Sequence, residues 1–431
     1  MIQTFERRWY WWLGLAIAIA LPWIFYNWTD GRHSGFSLTL MSEIGLLIVF
    51  ALSYNMLMGQ AGLLSFGHAA LFGLGGYTTA HALNAIVEHE IWFPVELVPL
   101  AGGLGGLAAG VTLGYLATKQ RSTAFAMITL GLGELITAAA LMFMLFFGGE
   151  GGISTNRVID ASLFGVEYAQ SIDVYYLIVA WGFISIWLMR LLTQTPLGRM
   201  ANAQRDNFER TQFVGYDPRL IRFYQFVLSG FFAGVAGGLF AMLHEIVTFD
   251  AVAAQKSATA LLATYIGGIG GFFGPVVGAI VVVLMQSGIS LLSSAWLLYL
   301  GTLFVLIVMY APGGLTGIVA EHAPIARLGR LKELFVPYLR LLLPALLCLA
   351  GFVLLVETAS FMTIGASQGK DLSFAGYSMQ AGSWTPWIAS LVLLVAGGLW
   401  LKAEARVFAR TWNVLMEAAK AEMAKAQGGR Q

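Results

Sequence analysis

The chain has 431 residues, 58% of them hydrophobic and only 11% charged, with a mean hydropathy of +0.75 and a net charge of +1. A soluble domain carries about 25% charged residues, so this composition excludes an ordinary soluble globular protein and makes lipid the expected solvent. The near-zero net charge argues neither for nucleic acid nor for an acidic partner, and the single cysteine, Cys348, excludes an intramolecular disulfide or a cysteine metal cluster.

A spanning helix needs about 20 mostly apolar residues. The first such run, near 10–28, follows Arg7 and Arg8. It is long and aromatic, and no small-x-small cleavage site follows it, so it reads as a retained helix and not a secretory signal. Further runs lie near 37–58, 64–86, 97–118, 122–146, 173–193, 222–246, 276–293, 295–312, 339–358 and 385–402. A shorter run near 257–268 reads as a short span or a re-entrant piece. With that run counted as a span and the N-terminus in the cytoplasm, 20 of the 24 Lys and Arg residues fall inside. Only Arg32, Arg157, Lys256 and Lys370 fall outside, the bias the positive-inside rule requires. Both termini are then cytoplasmic. The expected fold is an all-α polytopic membrane protein: a core of about ten spans over 1–320, then a C-terminal extension, 321–431, with two additional transmembrane helices and an amphipathic tail.

Two glycine-rich breaks interrupt the apolar pattern at comparable places in the two halves. One is Gly59-Gln60-Ala61-Gly62, followed by Ser65-Phe66-Gly67-His68 and Gly73, Gly75 and Gly76. The other runs from Gly267 to Pro275 and includes Gly268, Gly270, Gly271 and Gly274. Unwound backbone at membrane depth survives only beside a cavity or inside protein, and paired interruptions point to a transport pathway built from an internal repeat. Tight helix packing through glycine is the alternative. In the tail, Phe408, Trp412, Leu415 and Ala419 fall on one helical face. That stripe suits a helix lying on the cytoplasmic membrane surface or docking a partner protein.

The most informative polar stretch is 194–221, from Thr195-Pro196-Leu197-Gly198-Arg199 through Arg205-Asp206-Asn207 to Gly215-Tyr216-Asp217-Pro218. Pro196 can start a helix, and Gly215 with Pro218 can end one. A short charged helix held between two spans on the inner face has the form of a docking element for a soluble motor. A plain solvated loop is the other reading.

Ionisable side chains within a span cost about 2.5–3.5 kcal/mol each at a helix centre, so each needs a reason. Glu134 is mid-span, Glu43 lies in the outer part of the second span, His68 follows the first break, and His244 with Glu245 lies near an outer mouth. Glu134 and His68, with Ser65 and Tyr77, are candidates to line a solute path; structural pairing between packed helices is the alternative. A self-powered transporter using Glu134 or Glu43 as a proton relay is a rival reading. The chain has no H-E-x-x-H and no Walker A loop, so any ATP hydrolysis must come from another chain.

The spacing of Gly198-Arg199, Arg205-Asp206-Asn207 and Gly215 resembles the coupling-loop signature of the branched-chain amino acid (Liv-type) ABC transporter permeases. The resemblance extends to Phe226, Ser229 and Ala233 to Leu239, to Asn55 to His68, to Gly75-Gly76-Tyr77, to Gly148 to Gly152, to Gly267 to Ala279 and to Ala311 to Leu315. It covers about residues 40 to 317. It implies a permease that pairs with a second permease, docks two ATP-binding subunits that carry ATP and Mg, and receives solute from a periplasmic binding protein. It also implies the bacterial inner membrane as location and no cofactor on this chain. Gly198 to Gly215 would be the coupling segment, with Arg205 and Asp206 at the ATPase contact. The family's substrates include branched-chain amino acids, urea, short amides and other hydrophobic or aromatic acids. Two departures stand out: Phe208 occupies a place where an acidic residue is usual, and Arg222 replaces the usual lysine.

Overall fold

The computed structural model describes residues 9–428, apart from 25, 28–31, 34, 160, 164, 363–371, 375, 376 and 380–383. Among the described residues the structure is almost wholly helical, with three two-stranded antiparallel pairings: Tyr26–Asn27 with Arg32–His33, Ile153–Ser154 with Ile246–Val247, and Leu372–Phe374 with Tyr377–Met379.

The helices are α1 (Trp9–Ile24), α2 (Gly35–Asn55), α3 (His68–Glu88), α4 (Pro99–Ala117), α5 (Ser122–Met142), α6 (Met144–Phe147) and α7 (Ser171–Gln194). They continue with α8 (Pro196–Asp206), α9 (Phe208–Phe213), α10 (Pro218–His244), α11 (Ala254–Gly267) and α12 (Gly274–Val283). The last four are α13 (Trp296–Tyr310), α14 (Gly314–Arg327), α15 (Lys332–Ser360) and α16 (Thr385–Gly428). Nine helical stretches among the described residues are long and apolar enough to cross a membrane. The chain is a multi-pass membrane protein. Three of the twelve expected spans, α1, α3 and α11, fall outside those nine. At 16 and 14 residues α1 and α11 are short, whereas α3 is full length but rich in Gly, Thr and His.

The chain divides into two compact units, Met1–Ser287 with Phe304–Thr316, and Gly288–Leu303 with Gly317–Gln431. In the first, α10 is the central helix and packs against α4, α3 and α2. Apolar side chains give helices little reason to associate in lipid, so close backbone approach must supply dispersion contact instead. The small residues do this. A Cβ on Gly106 would stand 2.2 Å from Gly230 O, and one on Gly234 would stand 2.2 Å from Gly102 O. Alanine at either position would force α4 and α10 apart.

In the second unit α15 and α16 pack along each other. The amphipathic stripe of the tail is occupied within this unit: Leu415 is buried with Ile325 of α14 and Leu334 of α15, and Phe408 and Trp412 pack against that cluster. Trp412 and Tyr338 both contact the His322 ring, which donates to or accepts from Tyr338 Oη at 2.6 Å. The face expected to meet a membrane surface or a partner therefore meets α14 and α15. The sequence pattern identifies the apolar face, but the turn that folds α14 back onto it is invisible to periodicity.

Candidate functional site

The segment between α7 and α10 begins where the sequence predicts. Pro196 is at the first turn of α8, Thr195 is extended (φ −68°, ψ 162°), and its Oγ1 accepts from Gly198 N at 3.4 Å. Gly198 is buried, and a Cβ there would stand 2.4 Å from Leu192 O. Only glycine lets α8 turn so tightly off α7. The expected single helix to Gly215 is instead two. Asn207 leaves the helical region (φ −154°, ψ 103°), and its Oδ1 accepts from Arg210 N at 2.9 Å, capping α9. A short polar side chain competes with the helix for backbone groups and starts a new one. Gly215 (φ +92°) closes the segment and Asp217 caps α10 by accepting from Arg219 N at 2.8 Å.

Arg205 turns inward from the end of α8. Its Nη1 donates to the carbonyl oxygen of Gly59, and its Nε donates to Asp206 Oδ1 at 3.1 Å. Gly59 belongs to a π-helical turn, Met56–Gln60, that ends α2. Beyond it Gly62 (φ +68°) lies against the Arg205 stem, where a Cβ would stand 2.8 Å from Arg205 Cγ. Residues Gly62 to Gly67 are non-helical, and α3 then starts at His68. A π-turn frees backbone groups that need new partners. Gln225 of α10 supplies one, donating through Nε2 to Met56 O at 3.1 Å and to Gln60 Oε1 at 3.0 Å. Ser229 donates to Ser53 O at 2.7 Å.

The second break, between α11 and α12, lies beside the first. Asn55 Nδ2 reaches Gly271 O at 3.5 Å, and a Cβ on Gly59 would stand 2.9 Å from Ile269 O. Gly268 (φ +115°) makes this turn, and Thr316 Oγ1 donates to Gly267 O at 2.7 Å. The two glycine interruptions of the sequence are thus one structural feature, tied to α8 through Arg205.

The four expected pathway residues do not form one group. Ser65 and His68 are fully buried at the first break. His68 stacks on Phe50 (5.4 Å between centroids), and its Nε2 lies 3.0 Å from Ser53 Oγ. Ser65 Oγ, His68 Nδ1 and Tyr77 Oη are buried with no hydrogen-bond partner among the described residues. Tyr77 is buried about 13 Å farther along α3, edge-on to Phe147 at 4.8 Å. Glu134 is exposed on α5, although its neighbour Gly133 packs on Gly67.

Some residues were missed in the sequence. Arg199, Asp206, Glu209 and Arg210 are exposed on α8 and α9. Beside them Phe213 is 90% exposed and Val214 65%. Two adjacent exposed apolar side chains in a polar loop are a usable signal for a surface that meets protein or lipid. The Phe208 ring is not part of this face: Arg121 lies over it at 4.4 Å and Arg222 at 5.7 Å. Arg222 also donates to Thr118 O at 3.1 Å, the carbonyl just beyond α4. The two departures from the family pattern therefore meet in one cluster, where an aromatic face does what a carboxylate would otherwise do for two arginines. Among the described residues no group of His, Cys, Asp or Glu could hold a metal ion.

The family model for the branched-chain amino acid transport system permease component matches residues 36–313. The chain belongs to this family. The high-affinity branched-chain amino acid transport system permease protein LivM of Salmonella typhimurium is 28% identical over 70% of this chain and 73% of its own length, and LivM of Escherichia coli K12 is 29% identical over the same shares. The galactofuranose transporter permease YtfT of E. coli K12 is 27% identical over 61% of this chain and 74% of its own. No solved structure matches the chain significantly. The matched region holds both breaks and the Arg205 contact, and ends at Gly313, just before α14.

Proposed function

We propose that this chain is the permease subunit of an ATP-driven importer for branched-chain or related amino acids in the bacterial inner membrane. It works with two ATP-binding subunits carrying ATP and Mg, a second permease chain, and a periplasmic binding protein. Both termini and the segment from Pro196 to Asp217 lie on the cytoplasmic side. The observation that carries this reading is the hydrogen bond from Arg205 to Gly59. A segment shaped to dock a motor is joined directly to the backbone of a broken membrane helix. Movement of α8 under ATP binding would pull on the π-turn and the two breaks, and so switch access between the two sides. The exposed face with Arg199, Asp206, Asn207 and Phe213 meets the ATP-binding subunit.

Glu134 faces the solute path in this scheme. A carboxylate exposed at mid-helix cannot rest against lipid without the cost noted above, and the surface of a second permease, with water and solute between, removes it. Ser65 and His68 keep the first break polar inside and give the moving backbone alternative partners, and Tyr77 offers a hydroxyl farther along α3.

Sugar-permease relatives of similar identity favour a second reading, in which the cargo is a monosaccharide. Uptake of labelled leucine and of labelled ribose and galactose, each measured in proteoliposomes of the complete assembly, separates the two. Leucine accumulates and the sugars do not on the first reading; a sugar accumulates and leucine does not on the second.

A further inference from the structure

Most ionisable groups at depth in the first unit have their partners. Arg222 is held by Thr118 O and Phe208. Arg157 donates to Met242 O and Leu243 O at 3.1 Å, closing the end of α10, and pairs with Glu245 at 3.6 Å. A second cluster is not explained in this way. Glu43 of α2 and His244 at the end of α10 meet at 2.6 Å, and the His244 ring packs on Phe240 at 4.4 Å. Phe240 packs on Phe72 of α3 at 5.5 Å, and both rings lie under the Lys256 ammonium, at 4.8 Å and 5.4 Å.

Lys256 is the exception here. It is partly buried near the start of α11, and its Nζ has aromatic faces but no oxygen acceptor or ion-pair partner among the described residues. Glu43 is near enough for the two charges to interact, yet lies beyond ion-pair distance and is already held by His244. An ammonium has three donors, and leaving them unused in a desolvated place is costly. The Glu43 and His244 side chains are 24% and 33% exposed, so the cluster is open on one side.

Its depth also matters. On the proposed orientation α3 continues about 24 Å outward beyond Phe72, and α2 about 12 Å beyond Glu43, at about 1.5 Å per residue. His244, by contrast, stands at the outer end of α10, so the cluster runs inward from the outer mouth, where a delivered solute would arrive.

We propose that Lys256 and the Glu43–His244 pair form a head-group subsite for a zwitterionic α-amino acid entering from the outer side. Lys256 takes the carboxylate, the free Glu43 oxygen takes the ammonium, and Phe72 and Phe240 hold the Lys256 charge in place. Nothing in the family resemblance assigns these residues, and the inference rests on the amino-acid reading above.

The test is leucine uptake by proteoliposomes of the complete assembly with saturating binding protein, comparing the unaltered chain with Lys256→Met, Lys256→Arg and Glu43→Gln. Loss of one charge-assisted contact predicts roughly tenfold weaker apparent affinity for leucine in Lys256→Met and Glu43→Gln. Lys256→Arg retains it, which a purely structural role for the lysine stem would not explain. Unchanged leucine kinetics in Lys256→Met and Glu43→Gln overturn the subsite alone. An equal loss in affinity of the binding protein for the assembly makes Lys256 a protein-docking contact and also overturns it. An unaltered assembly that carries no leucine overturns the amino-acid reading, and the subsite with it.

Discussion

Arg205 and Gly59, 146 residues apart in sequence, are joined by a hydrogen bond from the guanidinium to the backbone carbonyl. The donor stands at the end of α8 and the acceptor within the π-turn that ends α2. Main-chain acceptors do not change with side-chain substitution, so the contact depends on the arginine and on the space left for it. That space is made by Gly62.

Gly62→Ala tests this. The backbone there has φ +68°, and an alanine Cβ would stand 2.8 Å from Arg205 Cγ. A left-handed conformation costs a non-glycine residue about 1–2 kcal/mol, and the clash adds to it. Thermal unfolding of the purified assembly should show a clear drop for Gly62→Ala, with impaired uptake. Gly131→Ala, where nothing lies within 4 Å, should match the unaltered protein or exceed it.

Phe208 should be replaceable by a carboxylate. The ring meets Arg121 and Arg222, and cation–π contacts of this kind are worth about 0.5–2 kcal/mol each. Phe208→Ala should lower the unfolding temperature of the assembly, and Phe208→Glu should restore most of it by pairing with the same arginines. Equal loss in both variants would show that the ring acts through packing alone.

How much of this was readable in the sequence varies by residue. Thr195, Pro196 and Gly198 announce the start of α8, because capping and N-terminal proline are local signals. The two glycine breaks were also legible as breaks. Their adjacency was not, since the contact of Asn55 with Gly271 spans 216 residues and no periodicity encodes it. The π-turn at Met56–Gln60 was missed because it replaces one helical hydrogen-bond pattern with another without changing the apolar run, and the split at Asn207 because one extended residue in an already polar segment leaves no break in composition. Glu134 was placed correctly in mid-span, but hydropathy alone does not say which way a helix turns it.

His68 and Glu134 should respond in opposite ways. His68 is fully buried between Phe50, Tyr54 and Ser53, so His68→Ala leaves a cavity and should destabilise the assembly by about 2–4 kcal/mol. Uptake per folded complex should keep its leucine affinity. Glu134→Gln, on an exposed face, should leave the unfolding temperature unchanged and alter uptake rate or substrate range. A Glu134→Gln assembly with unaltered uptake and range would remove Glu134 from the pathway.

The measurement that bears most directly on coupling is leucine transported per ATP hydrolysed in proteoliposomes, for the unaltered assembly and for Arg205→Ala. Uptake should require ATP on the side of α8 together with binding protein, and should survive a protonophore. Arg205→Ala should lower leucine moved per ATP by about tenfold, the loss expected for one charge-assisted hydrogen bond. Transport by the lone chain that collapses with the proton gradient, or an Arg205→Ala assembly with the unaltered ratio, would contradict the account.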